Sequence, residues 1–267
     1  MSSIDHLFRN LRSSGRKALM PFITAGDPDL DFTAAVLQEV VRRGASLCEL
    51  GFPYSDPVAD GPVIQASYTR ALDKGIKVKQ ILEMVGQVTP KLDAPLVSMV
   101  SYAIIYRRGP EQFIADAQAA GLAGAIVPDL PLDEAESLVE LCRKADFSLI
   151  QLVTPTTPRE RAVRIAETSS GFIYYVSVAG ITGERTELPA ELVENVAWLR
   201  SQTELPICIG FGISKPEHAK LLSPVADGLI VGSAIVRRIA QAAELPREQV
   251  INDVGQYVAS LLDAMEA

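Results

Sequence analysis

The stretch Leu47-Cys48-Glu49-Leu50-Gly51 sets one carboxylate among apolar residues. Alternation along a strand puts Leu47, Glu49 and Gly51 on one face, Cys48 and Leu50 on the other. Glu49 is thereby committed to a buried face near the end of its strand. A buried carboxylate without a partner is costly, or its pKa rises until it is neutral. Two roles answer that cost. One is an ion pair with a neighbouring Arg or Lys. The other is general acid/base chemistry, because desolvation moves a glutamate toward the pH where it both gives and takes a proton. The loop that follows, Phe52 to Pro62, holds two more carboxylates. Asp60 precedes Gly61 and the next helix, whereas Asp56 stands before Pro57 in the manner of a turn residue, and a turn role is open to both.

A second kind of chemistry is written in glycine. Three predicted strands end in Ala179-Gly180-Ile181-Thr182-Gly183, in Gly210-Phe211-Gly212-Ile213-Ser214 and in Gly232-Ser233-Ala234-Ile235. Glycine lets backbone amides approach an anion closely. A helix beginning at Ser233 aims its positive end and free N–H groups at the same place. Together these exits describe a phosphate cup. Phe22, Val100, Tyr102 and Phe211 at or beyond predicted strand ends, with Ile64 at a helix start and Tyr174 on a strand, suggest an apolar and aromatic wall for a flat substrate group, although each suits plain core as well.

Other chemistries lack their residues. Cys48, Cys142 and Cys208 are far apart, without metal-ligand spacing, and read as reduced core thiols. His6 and His218 are the two histidines, too few for a His-rich metal site, and both read as surface residues. No lysine falls within a predicted strand, as a Schiff-base aldolase would need. Acid/base work on a phosphorylated substrate by one or two carboxylates, with no cofactor and no metal, is what these residues can do.

Short apolar runs alternate with longer helical patterns, as in a parallel sheet with crossover helices. Strands are predicted over 19–24, 47–50, 96–101, 124–127, 148–153, 172–177, 207–210 and 228–231. Helices are predicted over 31–43, 64–88 with a break at Gly75, 111–120, 133–145, 159–167, 192–201 and 216–222, with Asp29, Asp133 and Ser214 as amino-terminal caps. Ile4, Leu7, Phe8 and Leu11 make an apolar stripe on an added first helix that plugs the barrel floor, and Val250, Val254, Val258 and Leu261 make another on a docked last helix. Eight βα units in one domain, residues 1–267, argue for a closed (β/α)8 TIM barrel; an open doubly wound sheet is the alternative. Chemistry then belongs in the loops at the carboxyl ends of the strands.

Composition agrees. The 267 residues carry 25 Lys and Arg against 33 Asp and Glu, a net charge of −8, which disfavours nucleic acid as a partner. No apolar run reaches about 18 residues and the first residues lack a basic and apolar leader, so a cytoplasmic protein is expected, with no membrane association.

The strings Pro21-Phe22-Ile23-Thr24-Ala25-Gly26-Asp27-Pro28, Glu49 through Gln65, Ser177 through Gly183, Gly210-Phe211-Gly212-Ile213-Ser214 and Ala226 through Val236 resemble the tryptophan synthase alpha chain family across nearly the whole length. The resemblance implies a TIM barrel of the ribulose-phosphate-binding type. It also implies retro-aldol cleavage of indole-3-glycerol phosphate to indole and glyceraldehyde 3-phosphate. Glu49 would be the acid/base and Asp60 the stabiliser of charge at indole N1. Gly183, Gly212, Gly232 and Ser233 would hold phosphate; Phe22, Val100, Tyr102, Tyr174 and Phe211 would enclose the rest; and Thr182 would close over the site. The family carries no cofactor in this chain. Pyridoxal phosphate sits on a beta chain, with which two alpha chains and two beta chains form the usual assembly through the loop around Asp56 and the segment after strand 3. There Ile104 stands where many members have Asn, which bears on partner affinity and not on the carboxylate pair. A stand-alone lyase releasing free indole, and a non-catalytic regulatory subunit, are the alternatives.

Overall fold

The computed structural model describes residues 2–57, 60–176, 188–210 and 212–267. Among them, strands β1 (Ala18–Thr24), β2 (Cys48–Gly51), β3 (Leu96–Met99), β4 (Leu122–Ile126), β5 (Ser148–Val153), β6 (Ile173–Val176), β7 (Ile207–Gly210) and β8 (Gly228–Val231) pair in parallel and in chain order. β8 returns to β1, with Met20 opposite Ile230, and closes the barrel. Helix α1 (Ser3–Ser13) precedes it. The connections carry α2 (Leu30–Arg42), α3 (Pro62–Asp73), α4 (Val78–Val88), α5 (Tyr102–Arg108), α6 (Pro110–Ala119), α7 (Glu136–Lys144), α8 (Arg159–Thr168), α9 (Ala190–Arg200) and α10 (Pro216–Leu222). After β8 come α11 (Ser233–Ala240) and α12 (Arg247–Glu266). This is a (β/α)8 TIM barrel with one helix added in front.

Every residue of β1 is buried, as a strand covered on both faces must be. Its alternation sorts two cores. Ala18, Met20 and Phe22 turn into the barrel with Leu47, Val97, Ile126, Ile150, Tyr174 and Ile230, while Leu19 and Ile23 join Cys48, Leu50 and the inner faces of the helices. α1 seals the floor as its stripe predicts. Ile4, Phe8 and Leu11 are buried, the rings of Phe8 and Phe172 lie 5.8 Å apart, and Ser2 with Asp5 forms a capping box. The last helix docks through Val250, Val254, Val258 and Leu261, also as predicted. Cys48, Cys142 and Cys208 are free and buried. No helix among the described residues is long and apolar enough to cross a membrane.

The predicted break at Gly75 is present: Gly75 takes φ +73° in the turn between α3 and α4. Other expectations need correction. Asp29 caps α2 by accepting from the Phe32 N–H at 2.9 Å, but Asp133 lies in a 3-10 turn before α7 and pairs with Arg164 instead. Ser214 is not a cap either. Lys215 holds the cap position of α10, and the Ser214 N–H donates to His218 Nδ1 at 3.4 Å. His218 is therefore a core residue, 3% exposed on the inner side of α10, and not a surface one. α5 was not anticipated: the predicted strand through Ser101 ends at Met99, and Ser101 caps a helix by accepting from the Ala103 N–H.

Candidate active site

β2 places Glu49 inside the barrel, as its alternation requires. Its register neighbours are Phe22 on β1 and Val97 on β3, both apolar, and its side chain is wholly buried. Neither carboxylate oxygen has a hydrogen-bond partner among the described residues. The structural ion pair is thereby excluded among these residues. With nothing to offset desolvation, burial holds the Glu49 pKa well above the ordinary carboxylate value. The neighbouring Cys48 thiol, facing the other way, is pushed up to about 12 by burial and by the Glu49 charge.

Asp60 stands at the end of the next loop, partly buried. Burial pushes its pKa up to about 6, against the opposing effect of the Tyr54 hydroxyl, which donates to Oδ2 at 3.3 Å. The side-chain amide of Gln65, on α3, donates to the Asp60 carbonyl at 2.8 Å and straps the loop to that helix. Two buried polar contacts fix α3 over the barrel mouth. The Thr24 and Ser67 hydroxyls meet at 2.7 Å, and Arg70 grips Asp27, 2% exposed, through both carboxylate oxygens at 3.0 and 2.7 Å. Asp56, by contrast, is exposed.

Phe22, Ile64 and Tyr174 join the inner cluster and face the same space as Glu49. Val100 is fully buried just beyond the end of β3, and Tyr102, partly buried, begins α5. Asp129, at the exit of β4, fixes that corner by accepting from the Ser101 hydroxyl at 2.6 Å and the Tyr102 N–H at 2.8 Å.

At the opposite side, Gly232 begins α11 with no side chain capping it, so the first turn of the helix keeps donors for an anion. A Cβ on Gly232 would lie 3.8 Å from Phe22 Cβ and 3.9 Å from Ile64 Cδ1, so the helix start lies directly against those two side chains. Ser233 is half-buried beside it, and Gly212 takes φ +83°. Thr182, Gly183 and Phe211 lie outside the described residues. The sequence reading passed over Tyr68, Gln65 and Asp129. Tyr68 follows Ile64 by four residues, the helical spacing that would have found it.

A family model described as tryptophan synthase alpha chain matches residues 8–265. The chain belongs to that family. The tryptophan synthase alpha chain of Rhodopirellula baltica is 57% identical over 277 residues, covering 100% of both chains. Among solved structures, tryptophan synthase subunit alpha of Legionella pneumophila strain Paris superposes with TM-score 0.91 at 35% identity, over 100% of this chain and 99% of that one. A chain of the tryptophan synthase complex from Pyrococcus furiosus superposes with TM-score 0.83 at 34% identity, over 92% and 98%. Family membership rests on residue identity along the chain, and the inward carboxylate on the register of β2 in the barrel.

Proposed function

We propose that this chain is the alpha subunit of a tryptophan synthase, a lyase that cleaves indole-3-glycerol phosphate to indole and glyceraldehyde 3-phosphate and passes the indole to a beta chain. The observation that carries this reading is Glu49, a carboxyl wholly buried inside the barrel with no partner among the described residues, its pKa raised well above the ordinary value by that burial. A neutral carboxyl donates its proton to indole C3. The carboxylate left behind takes the proton of the glycerol hydroxyl as the carbon–carbon bond breaks, and Glu49 is neutral again. Asp60, charged above about pH 6, stabilises the positive charge that develops at indole N1. Phe22, Ile64, Val100, Tyr102 and Tyr174 enclose the indole and glycerol, and Phe211 joins them by the family pattern. By the family pattern Ser233, Gly232, Gly212 and Gly183 hold the phosphate, and Thr182 closes over the substrate.

The family pattern further supports assembly of two alpha and two beta chains, with pyridoxal phosphate on the beta chain, in the cytoplasm. The partner surface comprises the exposed loop around Asp56 and helix α5, where Ile104 is half-buried and Tyr106 is 71% exposed. An indole-release assay on indole-3-glycerol phosphate, with and without a beta chain, tests the whole reading. Slow release by the chain alone, rising strongly with the partner, is expected; fast unassisted release identifies a stand-alone lyase.

Gly212→Val is expected to raise the Michaelis constant about tenfold with turnover largely kept. Its φ of +83° excludes a β-branched residue without strain, and relaxing that strain moves the phosphate-binding backbone. An unchanged Michaelis constant would remove Gly212 from the phosphate site.

A further inference from the structure

The Tyr68 phenol is a buried polar group beside the two carboxylates to which the proposed mechanism gives no task. It projects from α3 into the inner cluster with Phe22, Ile64 and Tyr174, is 1% exposed, and its ring packs against Tyr54 at 5.4 Å. Its oxygen has no hydrogen-bond partner among the described residues, although a buried hydroxyl ordinarily finds one. Gly51 fixes where that oxygen sits. A Cβ on Gly51 would lie 2.9 Å from it and 2.4 Å from Phe22 Cζ, so the phenol hangs directly over the exit of β2 because the strand ends in glycine. Gly51 is two residues beyond Glu49 and on the same face of the strand. A donor without an acceptor and a carboxylate without a donor thus share one strand end.

The other groups facing Glu49 do not supply that donor. Phe22 and Val97, its register neighbours, are apolar. Cys48 on the same strand and Cys208 on β7 feel its charge but carry only weak thiol donors. Tyr174 on β6 feels it as well, yet its hydroxyl reaches over Gly210, where a Cβ would lie 2.4 Å away, toward β7. Tyr54 and Asp60 face Tyr68 from the loop and already bond to each other. Among the described residues no Lys or Arg pairs with Glu49.

We propose that Tyr68 is a positioning residue for the cleavage: its hydroxyl donates to the Glu49 carboxylate, directly or through one water, once that carboxylate has given up its proton. The inference rests on the reaction proposed above. Tyr68 keeps its own proton throughout; the proton that moves goes from Glu49 to indole C3, and the glycerol hydroxyl replaces it. A hydrogen bond to the charged form lowers the pKa that burial alone would set, which eases the first transfer and orients the oxygen that accepts the second.

The test is Tyr68→Phe in the full chain, which deletes an orphaned hydroxyl and is expected to leave the melting temperature unchanged. In the ligand-free protein, the infrared carbonyl band of the protonated Glu49 carboxyl, identified by its loss in Glu49→Gln, is followed against pH. Its deprotonation midpoint is expected to move up by about one pH unit in Tyr68→Phe. In turnover, kcat is expected to fall about tenfold with KM little changed, and the alkaline limb of the profile to move up with the band. A midpoint and alkaline limb that coincide with those of the unsubstituted protein overturn the proposal. So does a loss of kcat that comes with a lower melting temperature and an unmoved limb, and so does a Glu49 carboxyl that stays protonated up to alkaline unfolding in both proteins. Unimpaired turnover by Glu49→Gln would instead overturn the reaction reading, while the infrared titration would still decide whether Tyr68 touches Glu49.

Discussion

Glu49→Gln is expected to lower kcat for indole-3-glycerol phosphate cleavage by about a thousandfold, with binding of a phosphate-bearing substrate analogue preserved. The amide has the shape of the carboxyl and sits in the same pocket, but it cannot relay a proton. The same substitution carries a stability signature that separates catalysis from folding. Because Glu49 is buried with no partner among the described residues, its pKa in the folded chain lies well above the ordinary value of 4.5. Between the two values the folded state binds a proton that the unfolded state has released, so stability falls as pH rises from the unfolded value toward the folded one. Glu49→Gln removes that dependence. Its melting temperature is expected to match the unsubstituted protein in acid, below about pH 4, and to exceed it at neutral pH. Near-normal turnover, or a neutral-pH destabilisation, would place Glu49 outside the proposed role.

Asp60→Asn is expected to cost about a hundredfold in kcat, the scale of losing one group aimed at developing charge. The working form of Asp60 is the carboxylate, and burial sets its pKa at about 6 despite the Tyr54 hydrogen bond. Activity is therefore expected to rise through about pH 6 as Asp60 ionises and to fall at higher pH as Glu49 loses its proton, giving a bell. In Asp60→Asn the acid limb should vanish while the alkaline limb stays. A full pH profile of both proteins checks this, and an acid limb that survives the substitution would assign it to another group.

Much of the architecture could be read along the chain, because it follows from local repeats. Alternation in Leu47 to Gly51 turned Glu49 inward, the stripe of Ile4, Phe8 and Leu11 sealed the floor, and the glycine at 232 opened a helix with free donors. Failures came where a neighbour distant in sequence overrides a local pattern. Asp133 looks like a cap until Arg164, on another helix, takes its carboxylate. His218 looks like a surface residue until the barrel's outer helices cover it. The apolar run from Leu96 looks like one strand through Ser101, but the strand ends at Met99, and Ser101, bonded to Asp129 at the exit of β4, caps α5 instead.

By itself the sequence determined which carboxylate would be buried, which strand ends would be glycine-rich, and to what family the whole belongs, since residue type and spacing suffice for each. Only the tertiary structure decided that Glu49 has no partner among the described residues, that Tyr54 shares its hydroxyl with Asp60, and that Tyr68 hangs over Gly51. Hydrogen-bond partners and desolvation are supplied by whichever segments the closed barrel brings together, and no local pattern in the chain encodes that meeting.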